Sequence, residues 1–177
     1  LRRSGHYFVK VQSNFEFLRK KESLLCDLIG DSKSLGELGC GSGWNLMVLR
    51  ANGFKGELYG ADISETGLQV IEIANKKWNL QIRTELLDLN SSQVGESRTI
   101  TQPDTLFTYL ALEQLPLTTS HLLGLIKQKF PLKKMILIES ATGLVPYHYS
   151  ELLSIIYVYR RDYLSNLPKI LSDLSIK

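Results

Sequence analysis

The ten residues Leu35–Trp44, L-G-E-L-G-C-G-S-G-W, admit few structures. A short apolar run broken by Glu37 enters a turn with glycine at every second position: Gly39, Gly41 and Gly43. A helix-forming segment, Asn45 to Arg50, follows at once. Glycine tolerates positive φ and lets a ligand approach a backbone that carries no Cβ. The pattern predicts a strand, a glycine-rich turn and a helix start whose unpaired N–H groups favour a polar or anionic ligand end.

The flanking sequence sets this unit in a repeating context. Apolar residues between Asn14 and Ile29 have helical spacing, and Gly30 stops them. Glu57–Asp62 reads as a second strand ending in a carboxylate. Ser64 then caps a helix with Leu68, Ile71, Ala74 and Trp78 on one face. Ile82–Leu87, Thr105–Leu110 and Met135–Glu139 read as further strands, with a loop or short irregular helix over 90–102 and a helix over Leu122–Phe130. A last helix is expected over Asp162–Leu174, weakened or kinked by Pro168. Strands alternating with helices predict an α/β fold with a doubly wound, mostly parallel sheet and helices on both faces. Ligands of such sheets bind at the carboxyl ends of the strands.

Bulk properties narrow the class. At 177 residues one domain is expected, with an N-terminal helical segment (1–33), a ligand-binding core (34–140) and a substrate-side loop and helix (141–177). A formal net charge of +3, carried by scattered basic pairs, argues against nucleic acid as a partner. The two cysteines, Cys26 and Cys40, make neither a disulfide framework nor a zinc site, so no metal is expected and the cytoplasm is the default location. No apolar run approaches the ~18 residues of a membrane span.

Two familiar phosphate-binding readings of the turn fail. The dinucleotide fingerprint needs a small residue where Trp44 stands, and the P-loop needs a Gly-Lys-Ser/Thr that is absent. What fits is E-x-G-x-G-x-G from Glu37 to Gly43, which resembles the first motif of class I S-adenosylmethionine-dependent methyltransferases. Three matches follow in the family's order: Asp62 ending the second strand, Asp88-Leu89 after the third, and Asp104–Gln114 (D-T-L-F-T-Y-L-A-L-E-Q) around the fourth. The last of these departs from the family pattern, with Gln114 in place of its histidine.

The resemblance implies a Rossmann-like fold and S-adenosylmethionine as cofactor, with S-adenosylhomocysteine as product. It assigns the cofactor site to Glu37, Gly39, Cys40, Gly41, Gly43, Asn45, Asp62, Ile63, Asp88, Leu89, Tyr109 and Leu110. Asp62 stands about 20 residues beyond the turn, the spacing of a carboxylate that reads ribose hydroxyls. Gly39 and Gly41 leave room for the methionyl part; Glu37 either ties down turn N–H groups or meets the cofactor's amino group. Asp88 can accept from the adenine amino group, with Ile63 and Leu89 on either side of the ring. Tyr109 covers the cofactor or packs below it. Asp62 and Asp88 can each serve instead as an ordinary helix cap or a solvated side chain.

For catalysis two residues stand out. His148, in the loop after the fifth strand, can act as a general base or be an exposed loop histidine. Glu139 orients a substrate hydroxyl or caps its strand. The leading expectation is methyl transfer to a small-molecule hydroxyl or amine. A protein or RNA methyltransferase and a non-catalytic cofactor-binding subunit are the alternatives. The family's last two strands, the final one antiparallel, have only Ser175-Ile176 left to form from, and the chain opens on Leu1. A longer natural product is therefore expected, with a homodimer as the other way to cover the sheet edge.

Overall fold

The computed structural model describes residues 14–91, 94, 96–115, 119–129, 134–139 and 167–173. The chain divides into two compact units, Leu1–Gly30 and Asp31–Lys177. Within the first, α1 spans Asn14–Ile29, the bounds expected from its periodicity.

The second unit is built on five parallel strands: β1 (Ser34–Leu38), β2 (Glu57–Asp62), β3 (Ile82–Leu86), β4 (Thr105–Tyr109) and β5 (Lys134–Ile138). Their order is β3-β2-β1-β4-β5. In register, Leu38 stands beside Ala61 of β2 and Thr108 of β4. Among the described residues the unit's helices are α2 (Trp44–Ala51), α3 (Glu65–Trp78), α4 (Arg98–Thr101), α5 (Thr119–Lys129) and α6 (Leu167–Asp173), with a 3-10 turn at Leu112–Gln114. The order reverses between β1 and β4, so the crevice for a ligand opens at the carboxyl ends of these two strands.

Alternation sorts the strands' side chains to two faces. On one, Leu38, Ala61 and Leu106 join Ile100 of α4, Leu122, Leu123 and Ile126 of α5, and Leu167 and Ile170 of α6 in a single buried cluster. On the other, Leu46 and Leu49 of α2 and Leu68, Ile71 and Ala74 of α3 are buried. Each fully buried leucine contributes about 1.5–3 kcal/mol against exposure. Close approach is built in at Gly36, where a Cβ would stand 2.4 Å from the Thr99 carbonyl oxygen, so α4 can rest directly on β1.

Glu85 fixes α4 in that position. Its Oε2 accepts from the Ser97 hydroxyl (2.7 Å), the Thr99 N–H (3.0 Å) and the Thr99 hydroxyl (3.1 Å). At the amino end of the sheet Arg50 donates to the carbonyls of Leu80 (2.8 Å), Gly56 (3.0 Å) and Phe54. One guanidinium thereby ties α2 to the loops before β2 and β3. Asp104 accepts from the Ser34 and Lys33 N–H groups, and its own N–H donates to the Ser34 hydroxyl, joining the starts of β1 and β4.

Several local expectations are corrected. Trp78 does not share the buried face of α3; it is 60% exposed, with Lys77 Nζ 5.0 Å from its ring centre. The last turn of α3 is instead tied to β3 by Asn75, whose side chain bonds both the N–H and the carbonyl of Ile82, and Asn79 in the left-handed region ends the helix. β3, β4 and β5 end one residue early, at Leu86, Tyr109 and Ile138, so Leu110 and Glu139 follow their strands rather than ending them. α5 begins at Thr119, three residues before the expected start. Pro168 falls in the first turn of α6, where a missing N–H leaves no helix bond unmade.

Candidate active site at the carboxyl ends of the strands

The glycine turn leaves β1 through two backbone bonds. The N–H groups of Gly39 and Cys40 both donate to the Ala61 carbonyl, at 2.8 and 3.0 Å, and Gly43 closes the turn onto the Cys40 carbonyl at 2.8 Å. All three glycines have positive φ: 71° at Gly39, 54° at Gly41 and 75° at Gly43. Space separates their roles. A Cβ on Gly39 would meet the Ala111 Cβ at 2.5 Å, and one on Gly43 would meet Ile71 Cγ1 at 2.6 Å. A Cβ on Gly41 would meet nothing within 4 Å. Gly39 and Gly43 are glycines because protein packs against them. Of the three, only Gly41 has open space where a side chain would stand, its N–H being taken by Asp62 and its carbonyl lying against Gly67.

Asp62 links the turn to α3. Its Oδ2 accepts from the Gly41 N–H at 2.7 Å and its Oδ1 from the Ser64 N–H at 2.8 Å. Ser64 caps α3 by accepting from the Gly67 N–H at 3.1 Å, as its position predicts. A carboxylate offers about four lone-pair sites, so each oxygen of Asp62 keeps acceptor capacity after its backbone bond. Its bonds to the turn and to the start of α3 therefore leave room for further donors.

Beneath the turn, Glu37 is buried and its Oε1 accepts from the Asn45 amide at 2.6 Å. This ties the first turn of α2 back to β1. Cys40 is also buried, and burial, followed by Glu37 and Asp62, raises its thiol far above the ordinary range. It is a packing residue in the thiol form.

Around this clasp lie the other strand-end residues. Asp88 is exposed, with Oδ1 accepting from the Asn90 N–H at 2.8 Å. Ile63 is 67% exposed and Leu86, at the end of β3, 61%. Leu89 is partly buried against the core cluster. Ile63 and Leu86 are accordingly the apolar side chains that stand open beside Asp62. Leu86 went unread in the sequence because alternation alone does not say which end of a strand projects beyond the helices. Tyr109 is half-buried on the Glu37 face of β4, and its phenol is raised by burial and then by Glu113.

Glu139 is engaged by the turn after β4. Its two oxygens accept from the N–H groups of Ala111 (3.3 Å) and Glu113 (3.2 Å). Burial pushes its carboxyl up, while the Thr108 hydroxyl and the 111–113 N–H groups pull the other way. His148 lies outside the described residues. Among the described residues no group of three or more His, Cys, Asp or Glu is placed to hold a metal ion. A separate hollow of about 580 Å³ beside β3 contains no strand-end residue of this site. Within it Arg83 is committed to Glu57 and Tyr59, and Glu85 to α4.

A family model for the tellurite resistance protein TehB matches residues 7–127, well over half of the chain. The chain belongs to the TehB family. Its solved structural neighbours carry the same fold. The plantazolicin methyltransferase BpumL, in complex with a pentazolic desmethylPZN analog and SAH, is 18% identical with a TM-score of 0.62, over 93% of this chain and 65% of that one. Coclaurine N-methyltransferase bound to N-methylheliamine and SAH is 19% identical, TM-score 0.61, over 74% of this chain and 38% of that one. Phosphoethanolamine N-methyltransferase 2 of Haemonchus contortus, in complex with S-adenosyl-L-methionine, is 19% identical, TM-score 0.62, over 88% and 35%. The chain thus spans less than two thirds of the length of these neighbours. No curated protein gives a match. Its fold is that of these methyltransferases, which hold S-adenosylmethionine or SAH.

The residues present fit that cofactor. Gly41 offers an unobstructed backbone, Asp62 a carboxylate with acceptor capacity to spare, and Ile63 and Leu86 exposed apolar surface beside it. An adenosine joined to an amino acid can use all three.

Proposed function

We propose that this chain is the cofactor-binding core of an enzyme that transfers the methyl group of S-adenosylmethionine to a small-molecule hydroxyl or amine. The Gly41–Asp62 clasp carries the reading: it presents bare backbone and a carboxylate side by side at the carboxyl ends of β1 and β2. When bound, the cofactor supplies an activated methyl on a positively charged sulfur. The protein's work is then to hold and align. Asp62 would hold the ribose hydroxyls, Asp88 the adenine amino group, and Ile63 and Leu86 would exclude water from the ring. Tyr109 and Leu110, at the end of β4, would border the reacting end. A proton released from the acceptor would pass to solvent or to His148.

The neighbouring N-methyltransferases named for coclaurine and phosphoethanolamine act on compact acceptors, which supports a small-molecule substrate here. No helix among the described residues is long and apolar enough to cross a membrane, and a cytoplasmic location is part of the proposal. Calorimetric titration with S-adenosylmethionine and S-adenosylhomocysteine tests the cofactor. Binding by the wild type and its loss in Asp62→Ala are expected; a folded wild type that binds neither compound would overturn the reading. Radiolabelled methyl transfer to a panel of amines, phenols and tellurite, the oxyanion in the family's name, then identifies the acceptor.

A further inference from the structure

The turn after β4 is held in an arrangement it would not adopt unaided. Leu110 lies in the left-handed region, φ 52°, which carries an energetic cost for a residue with a Cβ. Four bonds hold it, three of them from the end of β5 and one from within the turn. The Leu110 N–H donates to the Ile138 carbonyl at 2.8 Å, and the Leu110 carbonyl accepts from the Gln114 amide at 2.8 Å. Glu139, the residue after Ile138, then takes the N–H groups of Ala111 and Glu113 on its two oxygens. Its carboxylate is shaped for two donors on one short turn, and it comes from a strand 26 to 28 residues away in sequence.

What this turn touches gives the arrangement a purpose. Ala111 stands against Gly39, where a single added Cβ would be only 2.5 Å from the Ala111 Cβ. The two loops that frame the crevice, after β1 and after β4, thus meet at one contact. Glu139 sets the side of that contact that would otherwise be free to relax. Tyr109 and Leu110 lie immediately before Ala111, at the edge of the crevice.

We propose that Glu139 is a positioning residue: it clamps the 110–114 turn against Gly39 and so fixes the cofactor-binding geometry without touching the cofactor. This rests on the cofactor reading above. Removing the carboxylate releases the N–H groups it holds and loosens the turn that follows Leu110, so the competent turn becomes one of several arrangements. Apparent affinity falls by the fraction that remains competent, so a turn competent a tenth of the time binds about tenfold more weakly.

The test compares wild type, Glu139→Ala and Glu139→Gln. S-adenosylhomocysteine affinity is measured by calorimetry at 10 °C, and amide hydrogen exchange over 107–115 is followed on the same samples. Glu139→Ala is expected to bind about tenfold more weakly and to lose protection at Ala111 and Glu113. Glu139→Gln keeps one acceptor oxygen and should recover part of both. A Glu139→Ala protein that is folded, binds as tightly as wild type and keeps its protection overturns the positioning role. Loss of protection with unchanged affinity also overturns it, leaving Glu139 a stabiliser only. If wild type itself fails to bind, the cofactor reading has failed, and the exchange data still report whether Glu139 orders the turn.

Discussion

Replacing the turn glycines one at a time by alanine separates cofactor contact from packing. Every such substitution puts a Cβ on a residue with positive φ, which costs about 1–2 kcal/mol. At Gly41 nothing further is met, because the added methyl points into open space. At Gly43 it strikes Ile71 at 2.6 and 2.7 Å, and Ile71 is fully buried and cannot swing away. Overpacking of that kind adds about 1–3 kcal/mol. Gly43→Ala should therefore lose about 2–5 kcal/mol and Gly41→Ala about 1–2 kcal/mol. At about 2–4 °C per kcal/mol for a chain of this size, the melting temperatures should fall by about 4–20 °C and about 2–8 °C respectively. Binding should show the opposite order. The Gly41→Ala methyl occupies the approach to the backbone, so S-adenosylhomocysteine affinity should drop at least about tenfold, or 1.4 kcal/mol, while folded Gly43→Ala retains most of it. Thermal denaturation and calorimetry on the pair decide the matter. Equal destabilisation by the two, or wild-type affinity in Gly41→Ala, would refute this division of labour.

Other consequences are open to similar measurement. Glu85→Ala strips the acceptor from Ser97 and Thr99, both buried, and should cost about 2–3 kcal/mol in urea denaturation with little change in cofactor affinity per folded molecule. Because burial raises the Glu139 carboxyl in the folded state, the native protein binds more protons than the unfolded chain between the two pKa values. Its contribution to stability is therefore fullest below the unfolded value and declines as pH rises through the folded one. Stability profiles of wild type and Glu139→Gln should accordingly diverge with rising pH in that window, wild type losing relative to the variant; parallel profiles would contradict the burial argument. Cys40, raised by burial, should resist iodoacetamide at pH 8 in the folded protein and react once urea unfolds it, as peptide mapping would show.

Much of this architecture could be read from residue order. The E-x-G-x-G-x-G turn, the acid at Asp62 and the Ser64 cap are local patterns, and each stands where its spacing predicts. What could not be read was set by partners distant in sequence. Gly39 and Gly41 look alike in the string, yet Ala111 fills the space beside one and nothing fills the space beside the other. Glu139 reads as a residue that orients a substrate hydroxyl or caps its strand, and its bonds to the Ala111 and Glu113 N–H groups show only when the 111–113 turn is folded beside it. Glu85 carries no signal at all, because its partners become neighbours only when α4 settles on β1. Trp78 has the right helical spacing for burial, but periodicity ignores where the sheet beneath a helix stops.

The Arg50 guanidinium at the opposite rim of the sheet has an evolutionary corollary. By gathering the carbonyls of Phe54, Gly56 and Leu80, it braces the chain at the rim away from the glycine turn. Substitutions among the exposed residues at the far rim, Ile63 and Leu86 among them, then leave this brace untouched. Architecture and specificity are thereby free to change at different rates.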